Sequence, residues 1–472
     1  MSQKEEGPKP HELLNLYIKY YLGDEKRRND ELEVRFGTNR YHSLTKIDFD
    51  NIIEKIKSLG FTSENTEGVY NLNISSEYDD PRSGRKKMGN IRTSIKSLPA
   101  IEKYCKDNTL NEEVLFEQIY NRNVSFQQKF RKKVRIKDED DEEKEISLAP
   151  IDFRDFEFRI NYKSEVNLTL ENKGSFKVRN LLNDWSNQKK TFRLIKRYSY
   201  TTYNLPFRID CSIVKTSKKR KYFIPEYTVE QSEVFNNPEN YEIEIELLND
   251  KARGYKEEEL TIMLKNIIKV ILSGWQKSSF PISFKEEKDI QNEYLKLVYE
   301  NKPLPKTRDG TKNRRIRTSD FIGPSSISLE VSNIVPIDGD SNIPNINNKY
   351  SVTEKADGLR KLLFVSKIGK IYLIDTNMNV QFTGMVTKHR NMYNSIIDGE
   401  HVLYNKAGEF INLYLAFDIY YKNKENFKGF PFIQMEGLKY TDENIAKDKF
   451  RINSLNKFVT AIDANCVVLN YE

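Results

Sequence analysis

The sequence predicts an α+β protein: an antiparallel β-region with flanking helices, followed by a second, mixed α/β domain. Three observations predict it. From about residue 29 to 250, polar and apolar residues alternate with period two, the mark of strands that bury one face. Segments with helical apolar spacing flank that region. The stretch Asn301 to Arg317, with Pro303, Pro305, Gly310 and scattered charges, reads as a connection to a second set of strand-like segments. The division falls at 1–300 for the first domain, 301–325 for a linker and 326–472 for the second domain.

Each strand is read from its alternation. Glu31-Leu32-Glu33-Val34-Arg35-Phe36 puts Glu31, Glu33 and Arg35 on one face, and Asn90 to Lys96 groups Arg92, Ser94 and Lys96. Glu157 to Lys163 groups Arg159 with Lys163, and Phe192 to Arg197 groups Arg193 with Arg197. Phe207 to Cys211 carries Arg208, and Tyr241 to Leu247 aligns Glu242, Glu244 and Glu246. Helices are predicted over His11 to Tyr21, Lys46 to Leu59, Lys285 to Tyr299, and Glu257 to Leu272, the last running from acidic residues to a Ser-Gly stop. In the second domain a strand at Tyr350 to Glu354 precedes a hairpin of Lys361 to Ser366 and Lys370 to Asp375, turning near Gly369.

Composition excludes several classes. The 472 residues include 77 Lys plus Arg against 70 Asp plus Glu, a net charge of +7, and 38% hydrophobic residues with 27 Tyr and 26 Phe, which is a folding chain. The most apolar run, Ile262 to Trp275, is interrupted by Lys265 and Lys269, so no membrane span is expected. Met1 to Glu12 has no apolar core for a secretory signal, and three cysteines, odd in number and far apart, lead one to expect a reducing intracellular setting. Cys105, Cys211 and Cys466, and His11, His42, His389 and His401, lack zinc-ligand spacing. Metal chemistry would therefore fall to carboxylates and a hard cation, Mg²⁺ or Mn²⁺. Basic runs at Arg85 to Lys87, Arg131 to Arg135, Lys218 to Lys221 and Arg314 to Arg317 suit polyphosphate or nucleic acid, though solubility alone explains such runs, as it does the acidic run Asp138 to Glu143.

One Glu-x-Glu strand is what a solvated edge carries. Two such strands, far apart in the chain, change the reading: if both faces point inward, several carboxylates converge, which requires a divalent cation or basic partners. Arg92, Arg159, Lys163, Arg193, Arg197 and Arg208 supply such partners. A sheet closed into a wet barrel would hold carboxylates for the cation and basic side chains for an oligophosphate. Glu31-Leu32-Glu33 and Glu242-Ile243-Glu244-Ile245-Glu246 resemble the two glutamate motifs of the tunnel-type, metal-dependent RNA 5′-triphosphatases, the triphosphate tunnel enzymes. The resemblance implies an antiparallel β-tunnel, with Glu31, Glu33, Glu244 and Glu246 as metal ligands and Glu242 as a catalytic group that either orients water or supports the ligands from behind. Arg92, Arg159, Lys163, Arg193, Arg197 and Arg208 become the phosphate-binding candidates.

The second domain contains Lys355-Ala356-Asp357-Gly358-Leu359-Arg360, then Ile397-Asp398-Gly399-Glu400, then Leu415-Ala416-Phe417-Asp418. The ordered trio resembles the covalent nucleotidyltransferases, which include mRNA guanylyltransferases and polynucleotide ligases. That resemblance implies Lys355 as the nucleophile toward GTP, Gly358 at a tight turn, Arg360 and Glu400 on the ribose or a metal, and Phe417 stacked on the purine. Asp357 and Asp398 take structural roles.

A tunnel followed by this domain resembles the mRNA-capping enzymes of large nucleocytoplasmic DNA viruses, over about residues 10–472. It implies removal of the γ-phosphate from a triphosphate RNA 5′ end, then GMP transfer through a lysine adduct, with RNA and GTP as partners, in the host cytoplasm or virion. The family's later D-G and K-x-K motifs and OB-fold do not occur between Tyr420 and Glu472, so the nucleotidyltransferase core reads as partial. Three accounts of the missing motifs stay open: a longer protein of which this chain is a piece, a second polypeptide that supplies the rest, or a degenerate second domain. A methyltransferase subunit or a downstream polypeptide completing the guanylyltransferase is the further partner this reading admits. The competing readings are a ligase, which leaves the glutamate strands unexplained, and a non-catalytic module that binds polyphosphate or RNA ends.

Overall fold

The structure, a computed structural model, describes residues 10–23, 29–37, 43–80, 83–137, 143–171, 175–300, 302, 316–336, 343–347, 350–434 and 449–468. It divides into two compact units, Met1–Lys277 and Ser278–Glu472. The boundary lies before the helix Lys285 to Tyr299, which therefore belongs to the second unit and not to the first domain. No helix among the described residues is long and apolar enough to cross a membrane.

The first unit runs α1 (Pro10–Gly23), β1 (Asp30–Phe36), α2 (Lys46–Ser58), β2 (Val69–Asp79), β3 (Lys86–Lys96), α3 (Leu98–Asp107), α4 (Glu112–Leu115), β4 (Val124–Arg131), β5 (Lys133–Lys137), β6 (Glu143–Ser147), β7 (Ile151–Phe153), β8 (Phe158–Leu168), α5 (Ser175–Asn183), β9 (Lys190–Thr201), β10 (Phe207–Thr216), β11 (Asn240–Leu247) and α6 (Glu257–Gln276). The strands hydrogen-bond in the order β1-β11-β10-β9-β2-β3-β4-β8, and β8 pairs back onto β1, closing an eight-stranded antiparallel barrel. Strand β7 adds to β8 outside the closure.

The barrel is apolar outside and polar inside. Leu32, Val34 and Phe36 of β1 and Ile243, Ile245 and Leu247 of β11 are buried in one core with Leu14 and Ile18 of α1, Ile52 and Ile56 of α2, and Leu260, Leu264, Ile267 and Ile271 of α6. A second core joins Leu72 and Ile74 of β2 and Ile95 of β3 to Ile101 and Tyr104 of α3 and Val178 and Leu182 of α5. Since side chains alternate along a strand, apolar residues held outward against helices send their polar neighbours inward.

Helix α2 starts where Thr45 caps it: the Asp48 N–H donates to Thr45 Oγ1 at 3.2 Å, and the Thr45 N–H donates to Asp48 Oδ2 at 2.9 Å. Helix α6 continues past the expected Ser-Gly stop to Gln276. Gly274 lies inside it for contact: a Cβ there would sit 2.8 Å from Ile52 Cα of α2.

The second unit contains α7 (Phe284–Val298), β12 (Leu359–Val365), β13 (Lys370–Asp375), β14 (Val380–Thr387), β15 (Ser395–Tyr404), β16 (Phe410–Lys422), β17 (Glu425–Asn426), α8 (Arg451–Asn465) and β18 (Cys466–Val468). Its sheet order is β17-β16-β15-β12-β13-β14-β18, with every pairing antiparallel. Both faces are covered. Ile290, Tyr294 and Leu295 of α7 share a core with Leu362, Phe364 and Ile396, and Leu455 and Phe458 of α8 share one with Leu363, Val365 and Ile397.

The β12–β13 hairpin forms as expected, with Gly369 at φ +85° in its turn. Tyr350 to Glu354 is irregular and exposed rather than a strand. Part of the expected linker, 303–315, lies outside the described residues. Thr318–Asp320 forms a 3-10 turn held within the second unit, where Tyr294 Oη donates to the Asp320 carbonyl and Tyr299 Oη to its carboxylate, each at 2.9 Å.

Candidate active site: a charged barrel and a lysine segment

Strand register brings the first constellation together. On adjacent strands Glu33 faces Glu246 and Arg35 faces Glu244; Arg208 faces Glu246 and Asp210 faces Glu244. The barrel encloses a cavity of about 910 Å³ lined by Glu31, Glu33, Arg35, Arg92, Lys96, Lys129, Lys163, Glu165, Arg193, Arg197, Arg208, Glu244 and Glu246, with Lys219 and Lys221 from the loop after β10. Ten basic side chains thus stand against five carboxylates among the lining residues. The cavity has the size of a small-ligand site and a cationic excess of the kind a multiply charged anion offsets.

Each carboxylate is held by bases. Lys129 Nζ lies 2.8 Å from Glu31 and 2.6 Å from Glu165, which lies 3.1 Å from Arg92. Lys163 Nζ donates to Glu33 Oε1 at 2.7 Å, and Asn161 donates to the same oxygen at 3.0 Å. Glu244 lies 2.5 Å from Arg35 and 3.2 Å from Arg197, and Glu246 pairs with Arg208. Burial alone would push the Glu244 carboxyl up, but the guanidiniums of Arg35, Arg197 and Arg193 override it and hold it at about 2. Glu246 goes the other way, to about 7, because burial and the charges of Glu31 and Asp210 outweigh Arg208 and Arg197. Among the described residues, Arg35 Nε and Arg92 Nε are buried donors without an acceptor.

Nine of the residues singled out from sequence line this cavity: Glu31, Glu33, Glu244, Glu246, Arg92, Lys163, Arg193, Arg197 and Arg208. Glu242 accepts from Arg193 and lies 3.6 Å from Arg35, so it engages two guanidiniums and is placed to support them. Arg159 is placed elsewhere: it has the inward parity of β8 but sits at the strand's end, where Nε and Nη2 donate to Asp152 at 2.6 and 3.0 Å. Arg35, Lys96, Lys129, Glu165, Lys219 and Lys221 are the charged lining residues that the candidate set lacked. Strand β4 carried a signal for Lys129, since Val124, Phe126 and Phe130 alternate with Ser125, Gln127 and Lys129.

Among the described residues no three carboxylate, histidine or cysteine side chains form a ready cluster for a metal ion. The donor chemistry nevertheless fits a hard cation. Glu33 and Glu246 are cross-strand neighbours, and Glu31, Glu33, Glu244 and Glu246 all line the one cavity. Binding a cation would require these carboxylates to turn from Lys129, Lys163 and Arg208.

In the second unit Lys355 is exposed on the irregular segment leading into β12. Gly358 serves close approach rather than a tight turn: a Cβ there would lie 2.7 Å from the His401 carbonyl oxygen and 3.1 Å from Glu400 Cγ, on β15. Arg360 is committed to structure. Its Nε and Nη2 donate to Asp398 at 3.1 and 2.5 Å, and Nη1 donates to the Pro324 carbonyl, so it is not free for a ribose or a metal. Asp398 is fully buried and also accepts from Tyr420 Oη at 2.5 Å. Glu400 faces Arg360 across β12 and β15. Phe417 is exposed at a β-bulge, between the Gly399–Ala416 and Asp398–Asp418 pairs.

Residues 277–464 match the family described as mRNA capping enzyme, catalytic domain. The match contains Lys355, Arg360, Glu400 and Phe417. A probable mRNA-capping enzyme of Acanthamoeba polyphaga mimivirus is 26% identical over 279 residues, which is 59% of this chain and 19% of that protein. The chain thus spans about a fifth of the length of that curated relative. The structure of the S. pombe Pct1 RNA triphosphatase aligns over 57% of this chain and 96% of its own, with 14% identity and a TM-score of 0.29. Its complex with the Spt5 CTD aligns over 55% and 91%, with the same identity and TM-score. The barrel of this chain is defined by its own strand pairings.

Proposed function

We propose that this chain acts in mRNA 5′ capping and carries two successive activities: hydrolysis of the γ-phosphate at a triphosphate RNA 5′ end in the barrel, then GMP transfer through Lys355. The observation that carries the first is the closed barrel whose cavity holds ten basic side chains and five carboxylates, with unaccepted donors at Arg35 and Arg92. In this reading the internal ion pairs are placeholders. A triphosphate takes Arg92, Lys163, Arg193, Arg197 and Arg208, and Mg²⁺ or Mn²⁺ takes Glu31, Glu33, Glu244 and Glu246.

The cation would supply neutralisation of the γ-phosphate charge. The protein's own part is positioning: the guanidiniums fix the phosphates, Glu242 holds Arg193, and the walls limit water around the reacting phosphorus. Water adds to the γ-phosphorus, the bond to the β–γ bridging oxygen breaks, and orthophosphate leaves a diphosphate end.

For the second activity, support comes from the family match that contains Lys355. The neutral Lys355 amine attacks the α-phosphorus of GTP and displaces pyrophosphate, and the RNA diphosphate oxygen then displaces the lysine to give the capped end. Glu400 and Phe417 are the groups of this unit proposed for nucleotide contact. The test is release of orthophosphate from triphosphate-ended RNA with Mg²⁺ or Mn²⁺, and formation of a protein–GMP adduct from GTP. Metal-independent RNA binding without phosphate release would instead favour a non-catalytic end-binding module, and an adduct formed from ATP a ligase.

A further inference from the structure

The loop after β10 carries residues that a phosphate site alone does not call for. Lys219, Lys221, Tyr222 and Phe223 line the same cavity as the carboxylates and arginines, at the end of the barrel where β10 stops. Tyr222 is 73% exposed and Phe223 44%. A ring face carries negative quadrupole density and has nothing to offer a phosphate, whereas it stacks readily on a nucleobase.

The loop is braced rather than slack. Buried Ser217 Oγ accepts from the Phe192 N–H at 2.7 Å; the Lys218 N–H donates to Ser232 O and the Ile224 N–H to Lys218 O, both at 2.9 Å. Its return arm is pinned by the reciprocal Lys190–Glu226 backbone pair, at 2.7 and 2.9 Å. Lysine ammoniums lie over both rings, Lys219 at 5.0 Å from the Phe223 centroid and Lys221 at 5.6 Å from that of Tyr222. Aromatic faces and cations interleaved on a fixed support are the parts of a single-strand binding platform.

We propose that this loop binds the first nucleotides of the RNA whose triphosphate enters the barrel, Tyr222 and Phe223 stacking on bases and Lys219 and Lys221 meeting the phosphodiester backbone. The proposal rests on the triphosphate reading of the barrel and makes the site selective for polynucleotide ends over free tripolyphosphate.

The test measures, on the full chain and without divalent metal so that nothing turns over, the affinities for a 5′-triphosphate pentaribonucleotide and for inorganic tripolyphosphate. The wild type should prefer the oligonucleotide by about tenfold or more, Tyr222→Ala/Phe223→Ala should bring the ratio toward one, and Tyr222→Trp should keep it. Equal affinities in the wild type, or a ratio unchanged in the double variant while tripolyphosphate still binds, would overturn the loop assignment alone. If the wild type binds neither ligand, the barrel reading falls and the loop proposal with it.

Discussion

In the first unit every carboxylate of the Glu-x-Glu strands meets a basic side chain inside a closed barrel, whereas in the second unit Lys355 stands exposed on an irregular segment ahead of β12. The first arrangement is fixed by strand register, which sets the internal ion pairs that the proposal has a ligand replace. The second places its nucleophile candidate on a segment without regular structure, beside a buried Asp398–Arg360–Tyr420 network that is structural. Charged groups are thus arranged differently in the two units: in the barrel they line a cavity, and in the sheet they tie Arg360 and Tyr420 to a buried Asp398.

Lys355→Ala should break the comparison at its weaker side. GMP adduct formation should fall by about 10³-fold or more, while orthophosphate release from triphosphate RNA stays at the wild-type rate. Labelling with GTP followed by denaturing gel electrophoresis reads the first, and a phosphate assay the second. A parallel loss of both would mean that the two units do not work independently.

Asp398→Ala should act on folding. It leaves the Arg360 guanidinium without its carboxylate and Tyr420 Oη without its acceptor, and should destabilise the second unit by about 3–5 kcal/mol. A lower denaturant midpoint for the transition of that unit, with barrel ligand affinity preserved, is the expected result.

The smaller effects concern pH within the barrel. Glu244, held at about 2 against an unfolded value near 4.5, contributes stability that is present above the unfolded value and is lost as pH falls through about 2. Glu246 has the opposite sign: its folded value near 7 means that it stabilises when protonated and loses that contribution as pH rises from about 4.5 through 7. Since a cation must displace the Glu246 proton, Mn²⁺ affinity should weaken up to about tenfold per pH unit below 7 and level off above it. Calorimetric titration between pH 5.5 and 8 checks this, and Glu246→Gln should flatten the profile.

Much of the barrel was legible because period-two alternation survives in single strands. Leu32, Val34 and Phe36 face the helices, so Glu31, Glu33 and Arg35 must face the other way. What the alternation could not supply was closure and partner choice. Whether Arg159 reaches the cavity depends on where β8 ends and on Asp152 beside it, which is a tertiary fact. In the second unit the K-x-D-G and D-G-E segments were legible as motifs, but the commitment of Arg360 to Asp398 and the bulge at Phe417 follow from sheet pairing. Gly274 illustrates the same limit, since a Ser-Gly pair read as a helix stop proved to be the place where two helices touch.

The central claim, that the glutamates of the barrel hold a cation against a triphosphate, is tested most directly by orthophosphate release from triphosphate-ended RNA by the full chain and its Glu31→Ala and Glu244→Ala variants. The account predicts release that requires Mg²⁺ or Mn²⁺ and falls by about 10²–10³-fold in each variant. Full activity in the variants, or undiminished release in the presence of a chelator, would contradict it.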